Sequence, residues 1–196
     1  MISRMKLLIK THKKAGAVVP RPVHASANST FKGISRWLVV QLQPILDSLD
    51  RIVISSQEVI RRLHGSRAWV STRFNKLDVK DFFLAGTQKE LVDTISSAFK
   101  GRMRELIRDA VNFLLCRQYV QVGDSLHHVQ SGSGMGLRHS GHLSDVCFYL
   151  LAEKWFLNDM RSHGIFHWFR FRDDILVIHV SKSKFEKFFS TMQKKA

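Results

Sequence analysis

The 196-residue chain has only two cysteines, Cys116 and Cys147. Neither has a spacing that binds a metal, so a disulfide-stapled or zinc-stapled scaffold is excluded. Both lie in apolar, helix-like contexts and read as buried thiols of a reducing compartment. No apolar run approaches the roughly 20 residues that span a bilayer. Met5 to Ile9 is too short for the core of a signal peptide, so no membrane partner is expected. Internal repeats and low-complexity tracts are missing as well. The most telling absence is of negative charge: from Met1 to Leu46 there is no Asp or Glu, and Asp47 is the first acid.

That gap throws the positive charge into relief. Lys and Arg number 31 against 16 Asp and Glu, a net charge of +15. A chain this basic binds polyanions or anionic membranes, and without a spanning or leader segment nucleic acid is the expected partner. At 44% hydrophobic and 24% charged residues the composition is that of a globular chain long enough for a real core. In the acid-free segment Arg4, Lys6, Lys10, Lys13, Lys14, Arg21, Lys32 and Arg36 accumulate. Arg21 stands between Pro20 and Pro22, which hold it in extended chain and reduce the entropy it loses on gripping an anion. For Lys13 and Lys14 a solvated basic loop is the better account.

Hydrophobic spacing predicts a helix from about Ser29 to Leu49, with Pro44 kinking or restarting it. A short helix over Gln57 to Leu63 comes next, capped by Ser55-Ser56 and ended by Gly65. Phe74 to Val79 reads as a strand with Asp78 near its end. Thr87-x-x-Glu90 is a capping box that opens a helix to Phe99. Met103 to Leu114 repeats apolar residues at i, i+3, i+4 and i+7, so these two helices are core. Tyr119 to Gln130 alternates around Gly123-Asp124, a hairpin signal. The loop Ser131-Gly-Ser-Gly-Met-Gly136 precedes a third helix with Leu143, Cys147, Leu150, Leu151 and Trp155 inward. Glycine loops that open helices often turn backbone N–H groups toward anions or a nucleic-acid backbone; a flexible linker explains this one as well. Ser183 to Lys195 is a basic amphipathic helix carrying Phe185, Phe188, Phe189 and Met192 on one face.

The densest signal is His167 to Val180, HWFRFRDDILVIHV. Aromatic and β-branched runs flank Asp173-Asp174, so the pair should cap a β-hairpin. Adjacent like charges repel, and a divalent cation would relieve them. Asp is also a common turn former, and a solvated turn explains the pair equally. If the Asp78 strand lies beside this hairpin, three carboxylates converge on one spot. Such a group suits two divalent cations and in-line phosphoryl transfer. His127, His128, His139 and His142 lack cysteine partners and ligand spacing; they read as surface or backbone-contacting residues.

At these residues the chain resembles the reverse transcriptases, most closely those of Penelope-like retroelements, with telomerase more distant. Lys10-Thr-His-Lys13 and Arg21-Pro-Val are similar to K-x-H-K and R-P-I segments of the fingers. Leu77-Asp-Val-Lys-Asp-Phe-Phe83 resembles the first palm motif, D-V-x-S-L-F. Gly132-Ser-Gly-Met-Gly136 is similar to G-x-A-M-G, and Arg170-Phe-Arg-Asp-Asp174 to R-Y-x-D-D. The likeness runs over roughly residues 7 to 180. It departs at Leu137-Arg138, where Ser-Pro is usual, at Gly141, where a second Pro is usual, and in a gap before Gly132 one residue short.

The resemblance implies an α+β right-hand fold. Residues 1–70 would form a basic fingers-like region, and 71–196 a palm with an antiparallel sheet and helices on one face; no segment reads as a thumb. It implies an RNA-directed DNA polymerase with two Mg²⁺ ions (Mn²⁺ as substitute), an RNA template, a DNA primer and dNTP. The setting would be intracellular, nuclear for a eukaryotic element. Asp78 and Asp173 would be principal metal ligands, with the Val79 carbonyl in the shell and Asp174 in support. Lys13 or Lys14, Arg21, Asp81, Phe82 and Phe83 would meet the nucleotide, Phe83 at the position that excludes ribonucleotides. Without the resemblance, Phe83 reads as core and Asp81 as a solvated or capping acid. Gln130, Gly132, Gly134, Met135, Gly136 and Arg138 would line template and primer. An inactive nucleic-acid-binding remnant is the alternative, favoured by the missing thumb and Leu137-Arg138; an RNA-dependent RNA polymerase is a third, against which Phe83 argues.

Overall fold

The structure, a computed structural model, describes residues 2–9, 20–25, 31–64 and 71–195. Lys13 and Lys14 lie outside the described residues. In chain order the elements are β1 (Ile2–Ile9), β2 (Pro20–Ala25), α1 (Lys32–Asp47), α2 (Ser56–His64), β3 (Arg73–Asp78), α3 (Gln88–Ser97) and α4 (Gly101–Cys116). Then come β4 (Tyr119–Val122), β5 (Ser125–His128), α5 (Ser140–Phe148), a π-helical segment Tyr149–Glu153, α6 (Lys154–Phe156), a 3₁₀ turn Leu157–Asp159, β6 (Ile165–Phe171), β7 (Asp174–His179) and α7 (Lys182–Lys195). The described residues form an α+β protein, divided into two units that interleave along the chain. Unit 1 is Met1–Gln43 with Phe83–Ser144, and unit 2 is Pro44–Phe82 with Asp145–Ala196. These boundaries differ from the single division at residue 70 that the resemblance implies.

In unit 1 the sheet order is β2-β1-β4-β5. β1 pairs antiparallel with β2, setting Arg21 opposite Leu8, and parallel with β4. The β4–β5 hairpin turns on Gly123, whose φ of 59° suits a residue without Cβ. The Thr87–Glu90 capping box is formed as expected. The Glu90 N–H donates to Thr87 Oγ1 at 3.2 Å and the Thr87 N–H to Glu90 Oε2 at 2.7 Å. The Thr87 N–H and the Thr87 hydroxyl, both donating to Glu90 Oε2, hold the Glu90 carboxyl below its ordinary range. Behind the cap, Leu91, Val92 and Ile95 of α3 and Ile107, Val111, Leu114 and Leu115 of α4 are buried. Fully burying a side chain of this size contributes about 1.5–3 kcal/mol. α1 buries Leu38 and Leu42 and winds on through Pro44 without restarting. Pro44 lies in the last turn, so its missing N–H removes one bond at an end that frays anyway.

Unit 2 is built on an antiparallel sheet of order β3-β7-β6. Side chains alternate between its faces. Trp168, Ile175 and Val177 join Ala152, Phe156, Met160, Phe185 and Phe188 in one core cluster. On the other face Phe169 and Ile178 pack with Val53 and with Val59 and Leu63 of α2. Helices therefore cover both faces of this sheet, not one.

The expected face of the third helix fails at its C-terminal half. Leu143 and Cys147 are buried, but Leu151 and Trp155 are 56% and 72% exposed. The π segment is the reason: its wider turn takes up an extra residue and rotates the helix beyond it. Ala152, Glu153 and Phe156 turn inward instead.

Candidate functional site

The β-pairing of unit 2 brings the acids of two distant segments together. β3 lies directly beside β7, and Asp78 is the register partner of Asp174. Directly opposed residues of an antiparallel pair share a face, so these two carboxylates emerge side by side. One step further along, the Val79 N–H donates to the Asp173 carbonyl at 2.9 Å. The turn itself consists of Arg172 and Asp173, and Asp174 already belongs to β7. The acidic pair therefore straddles the turn's exit rather than forming its tip. Asp78 and Asp174 are exposed and Asp173 is half-buried.

The sequence motifs leave Lys76 out of this group, yet the fold includes it. It stands two residues before Asp78 and so shares its face. Its Nζ lies 2.8 Å from Asp174 Oδ1. The hydrogen bond to Asp174 raises the Lys76 ammonium above the ordinary lysine range, and the charges of Asp174, Asp78 and Asp173 add to the shift. One ammonium is thus drawn by all three acids at once. The period-two spacing Lys76-x-Asp78 was the legible signal for it.

Hard carboxylate oxygens at a strand end are the donor type that Mg²⁺ or Mn²⁺ takes. The ammonium resting on Asp174 shows that the spot attracts a cation. Among the described residues, however, no three His, Cys, Asp or Glu side chains are gathered closely enough to hold an ion as they stand. The donors fit the ion in kind and charge, with Lys76 in the position of a stand-in.

Two of the other expected site residues in unit 2 are set differently from one another. Asp81 is exposed in a turn at φ 54°. Phe82 does not face an open surface, contrary to the expectation of a nucleotide contact. It is 9% exposed, edge-on to Phe148 with centroids 6.0 Å apart, and the Arg170 guanidinium lies 6.0 Å over its ring. An aromatic ring in a run of acids and lysines buries itself whenever a core is within reach.

The remaining expected residues belong to unit 1. Arg21 is half-buried on β2, and Phe83 is half-buried. The glycine loop is committed to the chain's own backbone and not open to an anion. The N–H groups of Ser133 and Gly134 donate to the Phe83 carbonyl at 2.9 and 3.3 Å, and that of Gly132 to Gly86 at 3.0 Å. A Cβ on Gly132 would lie 2.5 Å from the Phe83 carbonyl, and one on Gly136 2.5 Å from that of His24. Gly132 and Gly134 are buried, so neither offers a surface to a template; Gln130, Gly136 and Arg138 are exposed and Met135 half-buried. The loop's glycines permit close backbone approach at positive φ, 74° and 93° for Gly132 and Gly136.

Several other expectations change here. His139 is not at the surface but fully buried, its Nδ1 3.1 Å from Ser35 Oγ. Burial, with the charge of His24 adding, pushes it down to about 4. His142 pairs with Gln43 Oε1 at 2.9 Å, while His127 and His128 are exposed. Cys147 is buried and its thiol pushed up to about 12 by that burial, whereas Cys116 is only half-buried. Among the described residues no helix is long and apolar enough to cross a membrane.

No protein-family model and no curated protein matches the sequence. Solved structures do match in fold. Apo telomerase of Candida tropicalis is 15% identical with a TM-score of 0.68, over 99% of this chain and 42% of that one. Candida albicans telomerase, in complex with a TWJ fragment of telomeric RNA, is 13% identical with a TM-score of 0.69, over 96% and 39%. The RNA polymerase complex inside a dsRNA virus is 11% identical with a TM-score of 0.60, over 98% and 19%. The chain thus has a polymerase-type fold, similar to that of telomerase and of viral RNA polymerases, and spans less than half the length of the telomerases it matches.

Proposed function

We propose that the chain is a template-directed nucleotidyltransferase domain, an RNA-directed DNA polymerase of a Penelope-like retroelement. The observation that carries this reading is the pairing of Asp78 with Asp174 at the turn bearing Asp173, with one ammonium drawn by all three acids. Asp78 and Asp173, with Asp174 beside them, would hold Mg²⁺ or Mn²⁺, the Val79 carbonyl contributing to the shell. When bound, such ions lower the pKa of a primer 3′-hydroxyl and neutralise charge on the leaving pyrophosphate. The chain's own part is to fix acids of two strands at one spot and to present cationic side chains to phosphate. Arg21, Arg138 and the lysines Lys13 and Lys14 serve triphosphate, primer and an RNA template. Phe83 would restrict the entry of nucleotides bearing a 2′-hydroxyl, and Gln130, Met135 and Gly136 would border the nascent pair. The RNA named with the Candida telomerase accords with an RNA partner.

Primer extension on an RNA template with dNTPs and Mg²⁺ or Mn²⁺ tests the proposal. Incorporation by the wild type that disappears in Asp173→Asn supports it; full activity in that variant removes the metal assignment. A second reading, an inactive nucleic-acid-binding domain, is favoured by the lack of a ready three-acid cluster among the described residues. Steeply salt-dependent RNA–DNA binding with no incorporation in any metal would establish it.

A further inference from the structure

The turn that carries Asp173 is held by side chains away from the acidic surface. Arg172, its first residue, has a φ of 55°, a conformation that residues with a Cβ seldom adopt. Asp145 bridges the two arginines on either side of Phe171. Its Oδ1 accepts from Arg170 Nη1 at 2.6 Å, its Oδ2 from Arg172 Nη1, and its backbone carbonyl from Arg170 Nη2 at 3.3 Å. Arg170 is fully buried, and its Nε donates at 2.9 Å to Glu153 Oε1, which also accepts from Trp168 Nε1 at 2.9 Å. The guanidinium also lies 5.2 Å over the Phe148 ring and donates to the Arg172 carbonyl at 3.4 Å.

We propose that Asp145, Arg170, Arg172 and Glu153 are positioning residues that lock this turn, and so fix Asp173 at the Asp78 end of β3. Three features support that role. The group is electrically balanced, two acids against two arginines, so it draws nothing from the acids at the surface. Asp145 engages the Arg172 head group that would otherwise be at liberty to neutralise the adjacent Asp173. Finally, a buried ion pair adds little stability over apolar packing of equal volume. What apolar side chains cannot do is hold Arg172 in a left-handed conformation from both ends. The role of the lock rests on the polymerase reading; its existence does not.

Hydrogen exchange at the Val79 amide, which donates to the Asp173 carbonyl, reports the turn directly in the full chain. Asp145→Asn leaves buried arginine under-neutralised and risks the fold, so Arg172→Gln, at a side chain 35% exposed, is the decisive variant. Its Val79 amide should exchange about tenfold faster while the Ile107 amide keeps its protection, and Arg172→Lys should restore part of the difference. In primer extension kcat should fall by about tenfold with KM for dNTP unchanged. Unchanged Val79 exchange in Arg172→Gln overturns the lock, and faster exchange with unaltered kcat overturns its positioning role. A wild type that incorporates nothing overturns the polymerase reading, and Val79 exchange then still decides whether the lock exists.

Discussion

Asp145 and Glu153 are buried, their side chains 3% and 4% exposed, and both are matched by arginine. Asp78, Asp173 and Asp174, in the same unit, have one ammonium among them in the described residues, and the Asp174 side chain is 51% exposed. The first group satisfies its charge internally, as burial requires. The second leaves charge over, and at a surface that excess is available to a cation from solution. Unit 1 resolves a buried ionisable group in a third way: burial, with the charge of His24 adding, disfavours the protonated form of His139. The contrast separates acids that hold the fold from acids that are free to act.

The largest effect should come from the open group. Asp173→Asn should lower primer extension by on the order of a thousandfold, with a melting temperature within about 2 °C of wild type. A matching loss of stability would break the contrast by making Asp173 structural. In the closed group, Asp145→Ala takes from the buried Arg170 one of its two carboxylate partners, leaving Glu153, and should cost about 3–5 kcal/mol in chemical denaturation. A cost near zero would show that the network relaxes and the two groups are not different in kind.

His139 sharpens the comparison through pH. Between its ordinary value of 6.5 and about 4, the unfolded chain takes up a proton that the folded chain refuses. Stability should therefore fall by roughly 3 kcal/mol as pH drops from 6.5 to 4, and the loss should be absent above that window. Denaturation curves of wild type and His139→Gln at pH 7.5 and 4.5 would isolate it. The smallest effect belongs to Lys76→Met: Mn²⁺ binding, monitored by electron paramagnetic resonance, should tighten about threefold with little change in melting temperature. Weaker binding in that variant would mean that Lys76 helps hold the ion and does not merely stand in for it.

Much of the closed core and of the open group was readable from the chain. Capping at Thr87, the Gly123 hairpin and the strands around Asp78 and Asp174 all arise from local periodicity and turn chemistry and stand as expected, as do the stripes of α3 and α4 except at Met103 and Leu106, which are exposed in the first turns of α4. The closed group was not readable. Asp145 and Glu153 are eight residues apart, which on a regular helix turns them about 80° from each other. Only the wide turn at Tyr149–Glu153 brings both to Arg170, and no local propensity announces it. The backbone partner of the glycine loop was hidden for a related reason. Glycines that admit an anion and glycines that admit the chain's own backbone look alike until the partner, here Phe83, is known.

The Tyr149–Glu153 segment gives the chain a point of slack. A π turn is an α-helix with one residue too many, accommodated without disturbing the turns on either side. Deleting one residue inside it would leave Asp145 and Glu153 seven positions apart, still on one side of an ordinary helix within about 20°. A gap of length one in the sequence of a related protein can therefore be absorbed here, and a shortened chain of that kind would keep its grip on Arg170 while losing only the bulge.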